Sequence, residues 1–465
     1  MDIEKMQRRF AGKLLLRKEI PLNDQSFEKL LHQNQFIRQP SITRTKISHQ
    51  CNRCQEQKRL AAIPCEICDK THLYCRNCIQ MGRVMECEYL YSWSGEQPQW
   101  PQYENPCTWE GTLTDSQQKA ADRVVHAIRR KEHELLIWAV CGSGKTEMLF
   151  PGITEALRTG KRICIATPRA DVVRELLPRL QSSFTAVPIQ GLYGGSEQND
   201  ATAPFLIATT HQLLRFQEAF DVIIIDEVDA FPYHKDQSLP FAVNRAKKEK
   251  ATTIYLTATP RKDLQRRIKR KKLPHIFVSV RFHGTPLPVP VYKMDFFLHH
   301  QLKDFSPPMS LVKWLRKRKN KNRQLLLFVP TIQLAEKMKP RLFNILVKEK
   351  RIENKSELAF VHAEDPDREE KVNLFRENKI KYFLTTTILE RGVTFPSVDV
   401  AVIDAGHDVF DEAALVQIAG RAGRSPDDPT GEVVFFHSGK TDAMNKAKSS
   451  IQQMNRRAGF KSWNV

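Results

Sequence analysis

The chain lacks any stretch approaching the roughly 18 to 20 consecutive apolar residues that a membrane-spanning helix requires. Its start, Met1-Asp2-Ile3-Glu4-Lys5, carries none of the apolar core of a secretory signal. Both absences lead to the expectation of a cytosolic protein. No convincing internal repeat is present, which sets aside solenoids and propellers. Hydrophobic content of 41% and charged content of 27% are ordinary for a soluble globular protein, so neither a disordered chain nor a fibre is indicated. Acidic charge is short: 53 Asp and Glu face 73 Lys and Arg, leaving a net charge of +20. Such an excess favours a polyanionic partner, nucleic acid first and an anionic membrane surface second. A length of 465 residues exceeds what one core usually supports, so two or three domains are expected.

Ten cysteines could frame disulfides in a short secreted chain, but here six fall as three C-x-x-C pairs in a long one. Cys51/Cys54, Cys65/Cys68 and Cys75/Cys78 have the knuckle spacing that lets two thiolates of one turn bind the same tetrahedral zinc. Six thiolates exceed one site and fall short of two. His72, Cys87 or Cys107 could complete a second, interleaved site, and the spacing does not decide which pairs share an ion. Thiolate sites with no open position are structural rather than catalytic. The later Cys164 reads as a small apolar filler of the core, and Cys141 packs there too, within a loop described below.

Four blocks follow from composition. Residues 1–50 show no recognisable chemistry and are expected to pack on the next segment. Residues 51–110 are rich in cysteine and aromatics and read as a small separate module, with its boundary near Gly111 after the proline-bearing run from Gln97 to Pro106. In 111–283 short apolar runs alternate with helical stretches: Leu135–Val140, Arg162–Thr167, Phe205–Thr209, Val222–Ile225 and Thr253–Thr257. That alternation predicts an α/β domain with a parallel sheet. Pro286, Pro288 and Pro290 mark an interdomain connection. A second α/β block, 284–465, has strand candidates at Leu325–Val329, Leu358–His362, Tyr382–Thr385, Val400–Ile403 and Val433–His437.

The first strand candidate runs into Ala139-Val140-Cys141-Gly142-Ser143-Gly144-Lys145-Thr146, a phosphate-binding loop in the context it needs, strand before and helix after. Gly142 and Gly144 let backbone N–H groups around Cys141 and Ser143 converge on phosphate oxygens, Lys145 balances their charge, and the Thr146 hydroxyl can ligate magnesium. Ala139 stands where the motif usually begins with glycine. Ile223-Ile224-Ile225 delivers Asp226 and Glu227 to a strand's carboxyl end, where Asp226 can hold magnesium and Glu227 can orient the attacking water. Thr114 caps a helix at Asp115, and the Gln117 amide is a candidate for reading the adenine edge. Gln417, Arg421 and Arg424 are spaced to share one helical face, presenting guanidinium groups to a γ-phosphate. Thr257 and Thr259 end a strand with hydroxyls suited to hydrogen-bond the Asp226 region. Pro168 and Arg169, Thr209, Thr210 and His211, and Thr386, Arg391 and Gly392 follow strands and are candidates to contact sugar-phosphate without a base code. The basic runs Arg261–Lys272 and Arg316–Lys319 read equally as solvated faces or as strand contacts.

These motifs resemble those of superfamily 2 helicases. With the cysteine segment running into Met81-Gly82-Arg83, Asp226-Glu227-Val228-Asp229-Ala230-Phe231-Pro232-Tyr233 and Arg281-Phe282-His283-Gly284-Thr285-Pro286, the chain more closely resembles the ComFA competence ATPase family of Gram-positive bacteria. The resemblance implies two tandem RecA-like domains after a zinc module, with ATP, Mg2+ and Zn2+ as cofactors. It also implies a cytoplasmic motor, peripheral on the inner face of the cell membrane, that moves single-stranded transforming DNA inward. ComFC-like and DprA-like proteins and the inner-membrane channel would be its partners, and homo-oligomers are compatible with it. Val228 stands where DEAD-box proteins have alanine, which weakens an RNA-remodelling role. With a short stretch after Arg424, the accessory domains of replication-restart helicases are not expected, and translocation on a single strand is the expectation. The alternative is a PriA-like duplex-unwinding helicase of replication restart or repair.

Overall fold

The computed structural model describes residues 3–66, 68–196, 200–390 and 395–460. By contacts the chain forms two compact units, Met1–Trp138 with Lys145–Phe277, and Ala139–Gly144 with Val278–Val465.

The first unit is built on a seven-stranded sheet in the order Ile189–Leu192, Phe205–Thr209, Ile163–Thr167, Phe220–Ile225, Lys247–Thr257, Glu134–Ala139, His275–Val278. The pairings from Ile189–Leu192 through Glu134–Ala139 all run parallel. Phe205–Thr209 and Ile163–Thr167 are buried at every position, which is why they read as unbroken apolar runs rather than alternating ones. All five strands expected from the sequence form. Two more, Ile189–Leu192 and His275–Val278, carried no signal. Gly191 interrupts the apolar pattern of the first, and in the second only Val278 is buried.

The cysteine-rich segment, read from composition as a module apart, shares its core with this unit. One contiguous apolar cluster runs from Leu14, Ile42, Cys51 and Cys75 to Leu206, Leu214, Phe216 and Phe220. Residues 1–50 pack as expected and more intimately: Leu14–Leu16 and Phe36–Pro40 flank Tyr89–Trp93 in an antiparallel sheet. Phe10, Phe27, Phe36 and Trp93 fill a second core beneath it, with Phe10–Phe36 and Phe36–Trp93 ring centroids both 5.3 Å apart. Buried arginines staple these layers. Arg53, fully buried, donates to both carboxylate oxygens of Glu19 (3.0 and 2.9 Å) and to the Met81 carbonyl (3.1 Å). Arg245 donates to the carbonyls of Arg53 (2.7 Å), Leu214 (2.6 Å) and Phe216 (3.1 Å). Burial pushes its guanidinium down to about 10.

The second unit carries a six-stranded, all-parallel sheet in the order Val291–Met294, Val433–His437, Val398–Val402, Gln324–Phe328, Tyr382–Thr385, Leu358–Val361. Its five sequence-expected strands form within two residues of their anticipated ends. The sixth, Val291–Met294, is exposed at the edge and directly follows the proline run. A buried ion network underlies the sheet: Asp399, with no exposure, accepts from Arg318 at 2.7 Å and from Arg323 at 3.0 Å, and Glu432 N–H donates to it at 2.8 Å. The two tandem parallel-sheet domains are RecA-like, as expected.

Candidate nucleotide site and metal centres

Strand Glu134–Ala139 leads directly into the phosphate-binding loop. Gly142 and Gly144 have φ of +77° and +69°, the left-handed conformation that turns successive N–H groups to one side and that a side chain resists. A short 3-10 turn, Glu147–Leu149, precedes the helix Phe150–Arg158. Lys145 and Thr146 are half-buried at its mouth.

Asp226 and Glu227 follow the buried strand Phe220–Ile225. Asp226 N–H donates to the Ala166 carbonyl at 2.9 Å, tying the acidic turn to the neighbouring strand. Glu227 itself has φ of +56° and donates its N–H to Asp226 Oδ1 at 2.9 Å. A glutamate held in the left-handed region costs on the order of 1–3 kcal/mol, a strain found where side-chain placement matters more than local stability.

Asp229, fully buried and not singled out from the sequence, is the hub of this corner. One of its oxygens accepts from the Thr257 hydroxyl and the other from the Thr259 hydroxyl (2.7 Å), and its carbonyl accepts from Arg261 Nε at 3.0 Å. The anticipated link between the Thr257-Ala258-Thr259 strand end and the acidic turn therefore exists, and Asp229 is its acceptor. The acidic character of Asp226-Glu227-Val228-Asp229 was legible in the sequence; which carboxylate turns inward was not.

Gln117 closes a capping box: its Oε1 accepts from Thr114 N–H at 2.8 Å while the Thr114 hydroxyl accepts from Gln117 N–H at 3.4 Å.

In the second unit, Gln417 lies on the helix Glu412–Ala419, where Cys141 Sγ–H donates to its Oε1 at 2.9 Å. Cys141 is thus a hydrogen-bond donor as well as a filler. Arg424 does not share a helical face with Gln417, while Arg421 sits in the turn that continues the helix end, its N–H donating to the Ile418 carbonyl at 3.0 Å. The helix ends at Ala419, and Gly423, with φ of +62°, bends the chain into a turn. Arg421 donates to the Glu390 carbonyl at 3.1 Å, and Arg424 folds back onto the Gly420 carbonyl at 3.0 Å. Arg281 shapes this turn, donating to the carbonyls of Gly423, Ala422 (2.9 Å) and Gly420 (3.3 Å). Burial, with Arg424 nearby, pushes its guanidinium down to about 10. In the sequence Arg281 stood out only as the first residue of the segment Arg281-Phe282-His283-Gly284-Thr285-Pro286, with no role assigned to it.

The loops read as strand contacts differ in what they offer. Pro168 is buried, and Arg169 pairs with Asp171 at 3.0 Å. Thr209 is 8% exposed and Thr210 fully buried at the start of a 3-10 turn, so the Thr210 hydroxyl is withheld from solvent, contrary to expectation. His211 beside them is half-buried, and burial lowers its pKa against the opposing pull of Asp236. Thr386 is half-buried, and Arg391 and Gly392 lie outside the described residues.

The cysteine pairs sort by the sheet. Cys51, Cys54, Cys75 and Cys78 converge, all buried, with every pair of Sγ atoms within 4.8 Å. The Cys51–Cys78 and Cys54–Cys75 separations are 3.9 and 3.5 Å. A tetrahedral zinc with about 2.3 Å Zn–S bonds has edges of about 3.8 Å, so the cradle fits that ion. The donor set points the same way. S–H groups of Cys54, Cys75 and Cys78 pull the Cys51 thiol far down, while the Cys51 thiolate pushes Cys78 far up. Four crowded thiols cannot all ionise without a cation among them. The Cys65/Cys68 pair, whose partners the spacing left open, lies apart with Cys87. Cys107 is not in either cluster.

Comparison with known proteins follows this geometry. Residues 2–92 match the competence protein ComFA N-terminal domain, 110–262 the res subunit of type III restriction enzymes, and 308–426 the helicase conserved C-terminal domain. The chain is 43% identical over 453 residues to competence protein ComFA of Bacillus subtilis strain 168, covering 97% of this chain and 95% of that protein. It is 38% identical to competence protein ComFA of Streptococcus pneumoniae strain R6, covering 87% and 93%. Among solved structures it is similar to S. cerevisiae Dbp5 bound to RNA and ADP BeF3, with a TM-score of 0.53 at 17% identity over 74% of this chain and 88% of that one, a likeness of fold.

Proposed function

Since this chain belongs to the ComFA family of competence proteins, ATP-hydrolysing enzymes of helicase type with a role in DNA uptake, we propose that it is a translocase that pulls single-stranded DNA by cycles of ATP hydrolysis. The observation that carries the coupling is the Asp229 hub. It joins the acidic turn that carries Asp226 and Glu227 to the strand end at Thr257 and Thr259, the link through which strand binding would reach the nucleotide site in this reading.

In this reading Lys145 and the loop N–H groups bind the β- and γ-phosphates, and Gln117 meets the adenine. Thr146 and Asp226 hold magnesium, which supplies charge neutralisation on the phosphate oxygens. Glu227 orients the attacking water and takes its proton. Arg421 and Arg424 stabilise the charge that develops on the transferred group, with Arg281 and Gln417 positioning the turn that bears them. Arg169, Thr209, His211, Thr386, Arg391 and Gly392 contact sugar-phosphate, while Pro168 and Thr210 are buried and do not reach it. Zinc at Cys51, Cys54, Cys75 and Cys78 is structural. Competence proteins of ComFC and DprA type, the membrane channel and the inner face of the membrane are the proposed surroundings. Among the described residues no helix is long and apolar enough to cross a membrane.

ATPase activity measured with single-stranded DNA, duplex DNA and RNA at stated salt tests the proposal. Single strands should stimulate turnover at least about tenfold, and Lys145→Ala and Asp226→Ala should abolish it. Asp229→Ala should keep nucleotide binding while losing most of the stimulation. Equal stimulation by RNA, or displacement of an annealed strand, would replace the translocase reading with a remodelling or PriA-like unwinding enzyme.

A further inference from the structure

We propose that Cys65, Cys68, His72 and Cys87 hold a second metal ion, zinc by the chemistry of its donors, interleaved with the four-cysteine centre. The inference does not depend on the motor reading.

The strands show how these residues meet. Leu60–Cys65 and Lys70–Cys75 form an antiparallel hairpin with Cys65 opposite Lys70 and Ile63 opposite His72, so the Cys65-to-Cys68 knuckle is its tip. Val84–Met85 pairs with the other side of the second strand, Tyr74 opposite Met85 and Cys75 opposite Val84. Continuing that register by two residues sets Cys87 opposite His72. Glu86 N–H, donating to the Leu73 carbonyl at 2.8 Å, shows that the pairing does continue. The strand Lys70–Cys75 thus offers His72 toward the hairpin tip and Cys75 at the opposite end, one ligand for each centre. In chain order the pairs alternate: Cys51/Cys54 and Cys75/Cys78 serve one ion, Cys65/Cys68 with His72 and Cys87 the other.

The three thiols are spaced for a tetrahedral site, and His72 lies beside Cys68 but outside their mutual 4.8 Å cluster, so its ring has to close on the ion as the fourth ligand. Sγ atoms of Cys65, Cys68 and Cys87 all lie within 4.8 Å of one another, with Cys65–Cys87 at 3.8 Å, the edge about 2.3 Å Zn–S bonds demand. His72 Nε2 is 3.1 Å from Cys68 Sγ. The other ring nitrogen, Nδ1, faces Glu86 Oε2 at 3.8 Å, and Glu86 is itself held by Leu73 N–H at 3.1 Å. A carboxylate on the Nδ1 side of the ring, drawn to hydrogen-bond distance, would turn Nε2 toward the ion, the arrangement that orients histidines at metal sites.

Packing gives the reason such an ion is needed. Along the hairpin, only the terminal Cys65 and Cys75 are buried, and Leu60 and Leu73 are only partly covered by the main core. A two-stranded tip without an apolar face is marginal in water. A metal bond there replaces the missing core.

Zinc content of the purified full-length chain, with ion-by-ion cobalt substitution, tests the proposal. The wild type should carry two zinc ions per chain, and Cys68→Ser with Cys87→Ser should carry one, with ATPase and far-ultraviolet circular dichroism retained. In the cobalt form, sulfur-to-cobalt charge transfer should fall in that variant as bound thiolates drop from seven to four. Glu86→Gln should speed release of one ion to a chelator by about 10- to 100-fold and leave the other unchanged. One ion in the wild type, two in the double variant, or a mass two hydrogens low from a Cys65–Cys87 disulfide would each overturn it. The cobalt spectrum of the wild type settles the case even where the variant misfolds, because three-sulfur and four-sulfur sites absorb differently.

Discussion

Glu19 is where the amino-terminal segment, the cysteine-rich sheet and the first RecA-like domain are fastened together, and replacing it with glutamine is a sharp test of that fastening. Its carboxylate accepts from Arg53 at 2.9 and 3.0 Å, from Arg215 at 2.9 Å and from the Leu16 N–H at 2.8 Å. The Arg53 side chain has no exposure, that of Glu19 has 13%, and that of Arg215 has 26%. Glutamine preserves the shape and an acceptor but removes the charge, leaving Arg53 buried beside two further arginines, 215 and 245. Breaking a buried pair from one side costs roughly 3–5 kcal/mol. Because glutamine keeps part of the hydrogen bonding, the lower end, about 3 kcal/mol, applies. In a unit this large, each kcal/mol moves the melting point by about 2 °C, so the first-unit transition should fall by about 6 °C in differential scanning calorimetry. Arg53→Met should cost less, because Glu19 keeps Arg215 and no buried charge is stranded. Combining Glu19→Gln with Arg53→Met should recover much of the loss. Zinc release to a chelator should quicken in Glu19→Gln, since Arg53 sits inside the Cys51-to-Cys54 knuckle. A shift below about 2 °C, or Arg53→Met proving worse than Glu19→Gln, would refute this reasoning.

In the second unit, Asp399→Asn strands Arg318 in the core and should cost about 3–5 kcal/mol, read as a lowered melting transition that leaves the first unit's transition in place. Acid should strip the four-cysteine centre, because protons compete with metal for thiolates: chelator-trapped release should accelerate as pH falls from about 8 to about 5, and a rate flat across that range counts against thiolate ligation.

What was legible in the sequence was whatever depends on short spacing. A strand running into Gly142-Ser143-Gly144-Lys145-Thr146, the strand-borne Asp226-Glu227 and the knuckles of the cysteine pairs are all local, and buried parallel strands announce themselves as apolar runs. Edge strands such as Val291–Met294 escaped because an exposed edge has no apolar pattern to read. The spacing of Gln417, Arg421 and Arg424 suggested one continuous helical face, but the left-handed Gly423, whose carbonyl Arg281 holds, takes Arg424 off it.

The sequence by itself determined the chemical inventory of this protein: a phosphate loop, an acidic strand end, paired cysteines and a basic surplus, each written in neighbours along the chain. Only the tertiary structure decided the partnerships. It joined Asp229 to Thr257 and Thr259, set Arg53 on Glu19, and divided the cysteines between Cys51/Cys54/Cys75/Cys78 and the hairpin tip. Those choices rest on strand register and on satisfying buried charge, which couple residues far apart in sequence and leave no trace in local spacing.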